Sequence, residues 1–326
     1  MKLLRSLAVS ATLFLAGAGA ASAATSWDLP LAWPAGNYIV KEVQRFAEEV
    51  KKATDGEVVI TTHPSGSLGF KGPEMLAAVR DGLVPIGDML LNQQVGVDPL
   101  LGLESLPFLI DDFEGLQAFG KHYRPLLDEV YARYNQKILF RIPWPQQQIF
   151  TKKEIRGIED LQGLKIRSYD KSSTDVFAAV GMNPVQLPWG DVIPSLAAGA
   201  IEAVATSSPS AVDGSFWELL KYGYPTRQTW NTNVISVNLD AWNKLDRKHQ
   251  DAIVEIANRL EPEFWATAQS EDGQKMETLA KNGMVNGTLS AELRAILRER
   301  SAPIREAAIR NLGEKAKQVV DAFEKR

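Results

Sequence analysis

No cysteine occurs anywhere in the 326 residues. That absence excludes disulfides, cysteine nucleophiles and cysteine-ligated zinc or iron–sulfur sites. Histidine is almost as scarce: His63, His122 and His249 lie far apart, with no carboxylate at metal-ligand spacing. There is no G-x-S-x-G elbow, no H-E-x-x-H, no phosphate-binding loop and no EF-hand loop. Carboxylate pairs such as Asp111-Asp112 and Glu48-Glu49 stand where turns and helices place solvated charge. No cofactor and no metal is called for, and the balance moves from catalysis toward binding.

Long apolar runs are also missing, apart from one near the N-terminus. Lys2 and Arg5 form a short basic region, Leu7 to Ala18 is an uncharged and mostly apolar run, and Ala21-Ser22-Ala23 has the small-residue pattern of a signal peptidase site. Residues 1–23 are therefore expected to be a signal peptide cleaved after Ala23, which places the mature chain in the periplasm. The run is short for a hydrocarbon core that takes about 20 residues, so direct membrane insertion of the mature chain is not expected.

Basic residues do not dominate. Cleavage would leave 34 Lys and Arg against 40 Asp and Glu, a formal charge of −6. Nothing in that balance favours a nucleic acid or an anionic membrane as partner. The 303 residues left suit two domains of ordinary size, and with no disulfides available their cores alone must hold them.

What is present is alternation. Ser26 to Trp33 reads as a strand, and from the N-cap candidate Asn37 the apolar residues Val40, Val43, Phe46, Ala47 and Val50 recur at helical spacing. Glu57 to Thr62 and Ile86 to Leu91 read as strands, Pro73 to Gly82 and Phe113 to Tyr134 as helices, and Lys137 to Ile142 as a further strand. Pro143-Trp144-Pro145 and three glutamines then break the pattern, and a domain crossing is expected there. The alternation restarts with a strand at Lys165 to Arg167 and runs to Ile201 to Thr206; Val234 to Asn238 reads as another crossing strand. His249 to Ala280 has only Pro262 and Gly273 as breakers and is long enough, as one helix, to span both domains. The fold class is α/β, in two domains, with a cleft between them as the default site.

One segment carries a chemical signal. In Asp160-Leu161-Gln162-Gly163-Leu164-Lys165-Ile166-Arg167 a turn ending at Gly163 feeds a strand that presents an arginine at its carboxyl end. The planar guanidinium grips a carboxylate through two parallel charge-assisted hydrogen bonds and never loses its charge. A surface arginine on an exposed strand end is the alternative reading of the same residues.

The chain resembles the DctP-type solute-binding proteins of TRAP transporters. The resemblance rests on Phe46-Ala47-Glu48-Glu49-Val50 before Asp55-Gly56, His63-Pro64-Ser65-Gly66-Ser67-Leu68-Gly69, Leu106-Pro107-Phe108-Leu109, Phe150-Thr151, Leu161 to Arg167, and Gly181-Met182-Asn183-Pro184. It implies a type II-like periplasmic-binding-protein fold in which two α/β domains close on a ligand and a long helix bridges them. Residues 24–145 with about 234–272 are expected to form domain I, and 146–233 with about 273–326 domain II.

The family's ligand-gripping arginine corresponds to Arg167. Many members carry a second arginine where this chain has Gln148, and an asparagine where it has Thr206-Ser207-Ser208-Pro209. One cation fewer favours a monocarboxylate, or a hydroxy, oxo, sugar or aromatic acid, over a dicarboxylate. Further ligand contacts implied by position are Trp189, Trp33 and Trp230 as aromatic walls, Gln148 and Ser207 as hydrogen-bond partners, and Tyr169, Asp170 and Glu74 as groups that orient the arginine or meet ligand hydroxyls. The implied partners are a small organic acid and the TRAP membrane permease subunits. Two other readings stay open: delivery to a membrane sensor kinase, and a periplasmic enzyme on the same scaffold.

Overall fold

The structure, a computed structural model, describes residues 24–325. The signal-peptide expectation falls on residues outside that range. None of the described helices is long and apolar enough to cross a membrane.

The first lobe contains strands β1 (Thr25–Pro30), β2 (Val58–His63), β3 (Ile86–Leu90), β4 (Gln136–Pro143) and β10 (Thr232–Asn238). β1 and β2 pair in parallel, and β10 lies antiparallel between β3 and β4. Its helices are α1 (Tyr38–Ala53), α2 (Met75–Arg80), α3 (Phe113–Arg133) and α7 (Leu239–Trp242). Asn37 caps α1 by accepting the amide of Ile39, and Val40, Val43, Phe46, Ala47 and Val50 all face the core.

The second lobe holds a six-stranded sheet in the order β11-β9-β5-β8-β6-β7. Its strands are β5 (Gln148–Thr151), β6 (Lys165–Ser168), β7 (Asn183–Gln186), β8 (Ala203–Thr206), β9 (Tyr222–Pro225) and β11 (Val285–Asn286). Helices α4 (Lys171–Ala179), α5 (Val192–Ala197) and α6 (Ser208–Asp213) accompany it. Successive strand residues point to opposite faces. Accordingly Ile149 and Ala205 join one hydrophobic cluster, while their neighbours Phe150 and Val204 join another. Strands β5, β9 and β11 were not expected from the sequence. Each is too short to show a clear period, and β5 follows directly on the proline-rich break.

The chain passes between the lobes through residues 144–147, through 226–231, and along two helices. Helix α8 (Arg247–Lys281) runs 35 residues, about 50 Å at 1.5 Å per residue, straight through Pro262 and Gly273. Phe264 and Trp265 lie in the first lobe's core and Leu279 in the second's. Helix α9 (Ala291–Leu312) returns, with Leu293 and Leu297 in the second lobe and Leu312 against the first. Helix α10 (Glu314–Glu324) was expected with domain II. Its apolar stripe of Ala316, Val319, Val320 and Phe323 instead joins the first lobe's core, with Phe323 edge-on to Phe119 of α3 at 5.3 Å.

Candidate ligand-binding site

The loop ahead of β6 is built to deliver one side chain. Asp160 accepts the amides of Arg156 and Gly157, and Gly163 takes a left-handed φ of 71° that turns the chain into the strand. β6 lies between β7 and β8 with Arg167 opposite Val185 and Val204. The guanidinium therefore emerges near the carboxyl ends of three parallel strands, where α/β sheets place ligands.

Arg167 is 3% exposed. Its Nε donates to the carbonyl of Leu187 and its Nη1 to that of Ala205, both at 3.0 Å, and its Cζ sits 5.5 Å from the ring centre of Tyr169. These neutral partners orient the fork without neutralising it. Among the described residues Arg167 takes part in no ion pair, and burial pushes its pKa down to about 10. It stays charged at neutral pH, so an anion is the partner the site still calls for.

The cleft around it is narrow: its non-atom space, open solvent included, is about 320 Å³, but only about 20 Å³ of it is open to the centre of a water-sized sphere. Trp33, Trp144 and Trp189 supply aromatic surface, Leu90 an apolar patch, and Gln93, Gln147, Asn231, Thr206, Ser207, Ser210 and Tyr169 polar groups. Arg167 is the one formally charged residue lining it. Residues from both lobes and both crossing segments meet here, so the cleft exists only when the lobes are together. Larger grooves lie elsewhere, one of about 780 Å³ flanked by α9 and one of about 630 Å³ beside Gln146 and Arg227, but neither presents a buried, unpaired cation.

Of the residues singled out in the sequence, Arg167, Tyr169, Trp189, Trp33 and Ser207 line this cleft. Trp189 stacks on Phe216 at 6.2 Å, and Trp33 meets Trp144 edge-on at 4.8 Å. Four others are elsewhere. Gln148 is turned toward α8, its Nε2 donating to Asp272 at 3.4 Å and to Met276 sulfur at 3.1 Å. Trp230 lies in the first lobe's core, donating its indole N–H to the carbonyl of Ile110 at 2.9 Å, and borders the groove beside Arg227. Glu74 is exposed and accepts the amide of Lys71. Asp170 is the buried N-cap of α4, accepting from Ser173 and, at 2.6 Å, from Asn92 of the other lobe; burial raises its pKa.

Sequence reasoning missed Trp144, Gln147 and Asn231. All three belong to the crossing segments, which hydrogen-bond to each other: Trp144 donates its amide to Asn231, and Thr226 and Arg227 donate theirs to Gln147. A polar chain continues into the site, with Asn231 donating to the Tyr169 hydroxyl at 3.3 Å and that hydroxyl 2.5 Å from Thr229 Oγ1. A tryptophan flanked by prolines was the available signal for Trp144.

The lobes also touch at the rim. Asn37 of the first donates to Asp213 of the second at 2.6 Å, and Lys71 approaches Asp191 at 3.4 Å.

Residues 31–311 match the family model described as bacterial extracellular solute-binding protein, family 7 (DctP). The solved structure of DctP7 from Bordetella pertussis, an extracytoplasmic solute receptor binding pyroglutamic acid, superposes with a TM-score of 0.89 at 30% identity, covering 92% of this chain and 100% of that one. A marine metagenome TRAP solute-binding protein specific for pyroglutamate gives the same TM-score and identity, over 93% and 99%. In sequence, the monocarboxylate 2-oxoacid-binding periplasmic protein of Nostoc sp. is 30% identical over 243 residues, 69% of this chain and 63% of that protein. Matched along most of its length, the chain belongs to the DctP family of bacterial extracellular solute-binding proteins, whose solved members include TRAP solute receptors.

Proposed function

We propose that this protein captures a compact monocarboxylate, with pyroglutamate the first ligand to test, and delivers it to a TRAP permease without transforming it. The observation that carries the reading is Arg167: buried, charged, held by carbonyls and in no ion pair among the described residues, with the buried Asp170 acting on it only through space. A ligand carboxylate would complete its hydrogen bonds and remove the cost of an uncompensated buried charge. With no second cation lining the cleft, a second carboxylate would have to be buried unpaired, which disfavours dicarboxylates.

The rest of the lining suits a small flat body. Indoles offer apolar faces, and the amides and hydroxyls of Gln147, Asn231, Ser207 and Thr206 offer both donors and acceptors, as a lactam requires. The receptors that share 30% identity and bind pyroglutamate support this class over larger sugar acids. Closure brings both lobes onto the ligand, excludes water and makes the ion pair stronger in the lower local dielectric. The closed face is then what a permease reads as loaded.

The same reading places the protein in the periplasm after removal of residues 1–23. It divides the mature chain into one domain of 24–145, about 234–272 and the C-terminal helix, and a second of 146–233 with the remainder.

A thermal-shift panel on the mature protein tests it, using pyroglutamate, 2-oxoacids, gulonate, galactonate and a dicarboxylate. A ligand at a hundred times its dissociation constant stabilises the native state by about 2.7 kcal/mol, several degrees in Tm. Shifts confined to monocarboxylates support the proposal, and a response to the dicarboxylate alone contradicts it.

A further inference from the structure

Asp88 lies outside the cleft lining, in the middle of β3, and is 4% exposed. It forms no ion pair among those of the described residues. Both of its oxygens instead accept from neutral donors. Oδ2 takes the indole N–H of Trp33 at 3.0 Å, and Oδ1 takes Nδ2 of Asn233 at 2.7 Å. The Asn233 amide continues the chain, because its own Oδ1 accepts the indole N–H of Trp144 at 2.7 Å. One carboxylate thus holds two of the three indoles of the cleft, one directly and one through an amide.

Strand register produces this arrangement. β3 and β10 are antiparallel with Asp88 opposite Ile235 and Leu90 opposite Asn233, which makes Asp88 and Asn233 diagonal neighbours within side-chain reach. Trp33 arrives from the loop after β1 and Trp144 from the crossing segment after β4, and their rings cross at 69°. Two segments more than a hundred residues apart are brought to a fixed mutual angle by a group that touches neither the cleft nor Arg167.

Folding alone gives no reason for a charge at this position. A buried carboxylate without a cation costs stability, and an apolar or amide side chain would hold the strand as well. What the ionised carboxyl alone supplies, above the pH of about 7 to which burial pushes this group, is an acceptor on both oxygens. An asparagine would turn an NH₂ group toward one of the two donors.

We propose that Asp88 is the positioning residue of this cleft, fixing the planes of Trp33 and Trp144 and so selecting among small acids by the shape of the part beyond the carboxylate. This rests on the reading of the cleft as an organic-acid site. Replacing Asp88 should loosen selection more than it weakens the fold.

The test uses the mature protein with Asp88→Asn, Asn233→Ala, the pair Trp33→Phe/Trp144→Phe, and that pair combined with Asp88→Asn. The indole N–H signals of Trp33 and Trp144 are read by ¹⁵N–¹H NMR without ligand, and pyroglutamate and gulonate are titrated by calorimetry. Asp88→Asn is expected to displace both indole signals, weaken pyroglutamate by about tenfold and narrow its advantage over gulonate. Asn233→Ala cuts only the Trp144 arm and is expected to move that signal while leaving Trp33 in place. In the background lacking both indole donors, Asp88→Asn should cost less than about twofold. Unmoved indole signals, unchanged affinity, or an equal loss in that background would each overturn the proposal. If the wild type binds none of the acids, the receptor reading fails separately, and the indole signals then decide the positioning claim: displaced signals support it and unmoved ones overturn it.

Discussion

The guanidinium carbon of Arg167 lies 5.5 Å from the ring centre of Tyr169, and the hydrogen bonds of that guanidinium go to two backbone carbonyls rather than to a carboxylate. Breaking up a buried charge and its partner is usually destabilising, but among the described residues Arg167 is in no ion pair, and the buried Asp170, which feels its charge, keeps its own hydrogen bonds to Ser173 and Asn92. Arg167→Met keeps most of the side-chain length and removes the charge. Its ligand-free stability is expected to stay within about 1 kcal/mol of the wild type, or to exceed it, while carboxylate binding is lost. Thermal melts with and without ligand check this, and a mutant that melts far earlier without ligand would show the arginine to be a structural group.

The rim contacts should differ in worth. Asn37 donates to the part-buried Asp213 at 2.6 Å across the lobes, and hydrogen bonds to charged groups contribute about 1.5–3 kcal/mol. Asn37→Ala is expected to weaken ligand binding by about tenfold, mainly through faster release, with some loss of α1 capping. Lys71 and Asp191 are 61% and 45% exposed, so Lys71→Ala is expected to change affinity by less than about 0.5 kcal/mol. Stopped-flow release rates that are equal for the two variants would contradict this ranking.

Stability should fall as pH rises toward neutrality. Burial pushes both Asp88 and Glu104 up to about 7, far above carboxylates in the unfolded chain. The folded state therefore binds these protons more tightly than the unfolded state does. The associated stability is fully present below about pH 4 and is lost as pH rises through about 7, on the order of 3–4 kcal/mol per group. Carboxyls held below their usual range, such as Asp81 beside Arg80, act at lower pH and leave this window untouched. Tm is expected to drop between pH 5 and 8, and Glu104→Gln to flatten the drop. A Tm that rises over that range, or a Glu104→Gln slope matching the wild type, would contradict the assignment.

The α/β alternation, the long helix and the arginine at the end of a short strand were legible because each leaves a local signature. Period, length without effective breakers, and a glycine turn before a short strand can all be read within a few residues. The cleft was only partly legible, because it is assembled from segments around positions 33, 90, 144, 167, 189, 207 and 231. Two misplacements were matters of parity. Gln147 lines the cleft while Gln148, beginning β5, turns to α8; Asn231 lines it while Trp230 turns to the core. Extended chain sends neighbours to opposite sides, and the crossing segments carry no alternation from which to decide which side is which. Asp170 reads equally well as a ligand group or as a helix cap, and the cap geometry is what the structure has. Asp88 gave no signal, since an acid inside the run Ile86-Gly87-Asp88-Met89-Leu90 acquires its meaning only from the register of β10.

The central claim is that Arg167 recognises a ligand carboxylate as an anion. Titration calorimetry of the mature protein with pyroglutamate and with its carboxamide, which keeps the ring and replaces the charged group by a neutral amide of similar shape, addresses it most directly. Saturable binding of the acid with the amide weaker by at least about a hundredfold is the predicted result, since the amide leaves the guanidinium buried and uncompensated. Comparable affinity for the two would show that shape rather than charge is recognised, and the account of Arg167 would be wrong.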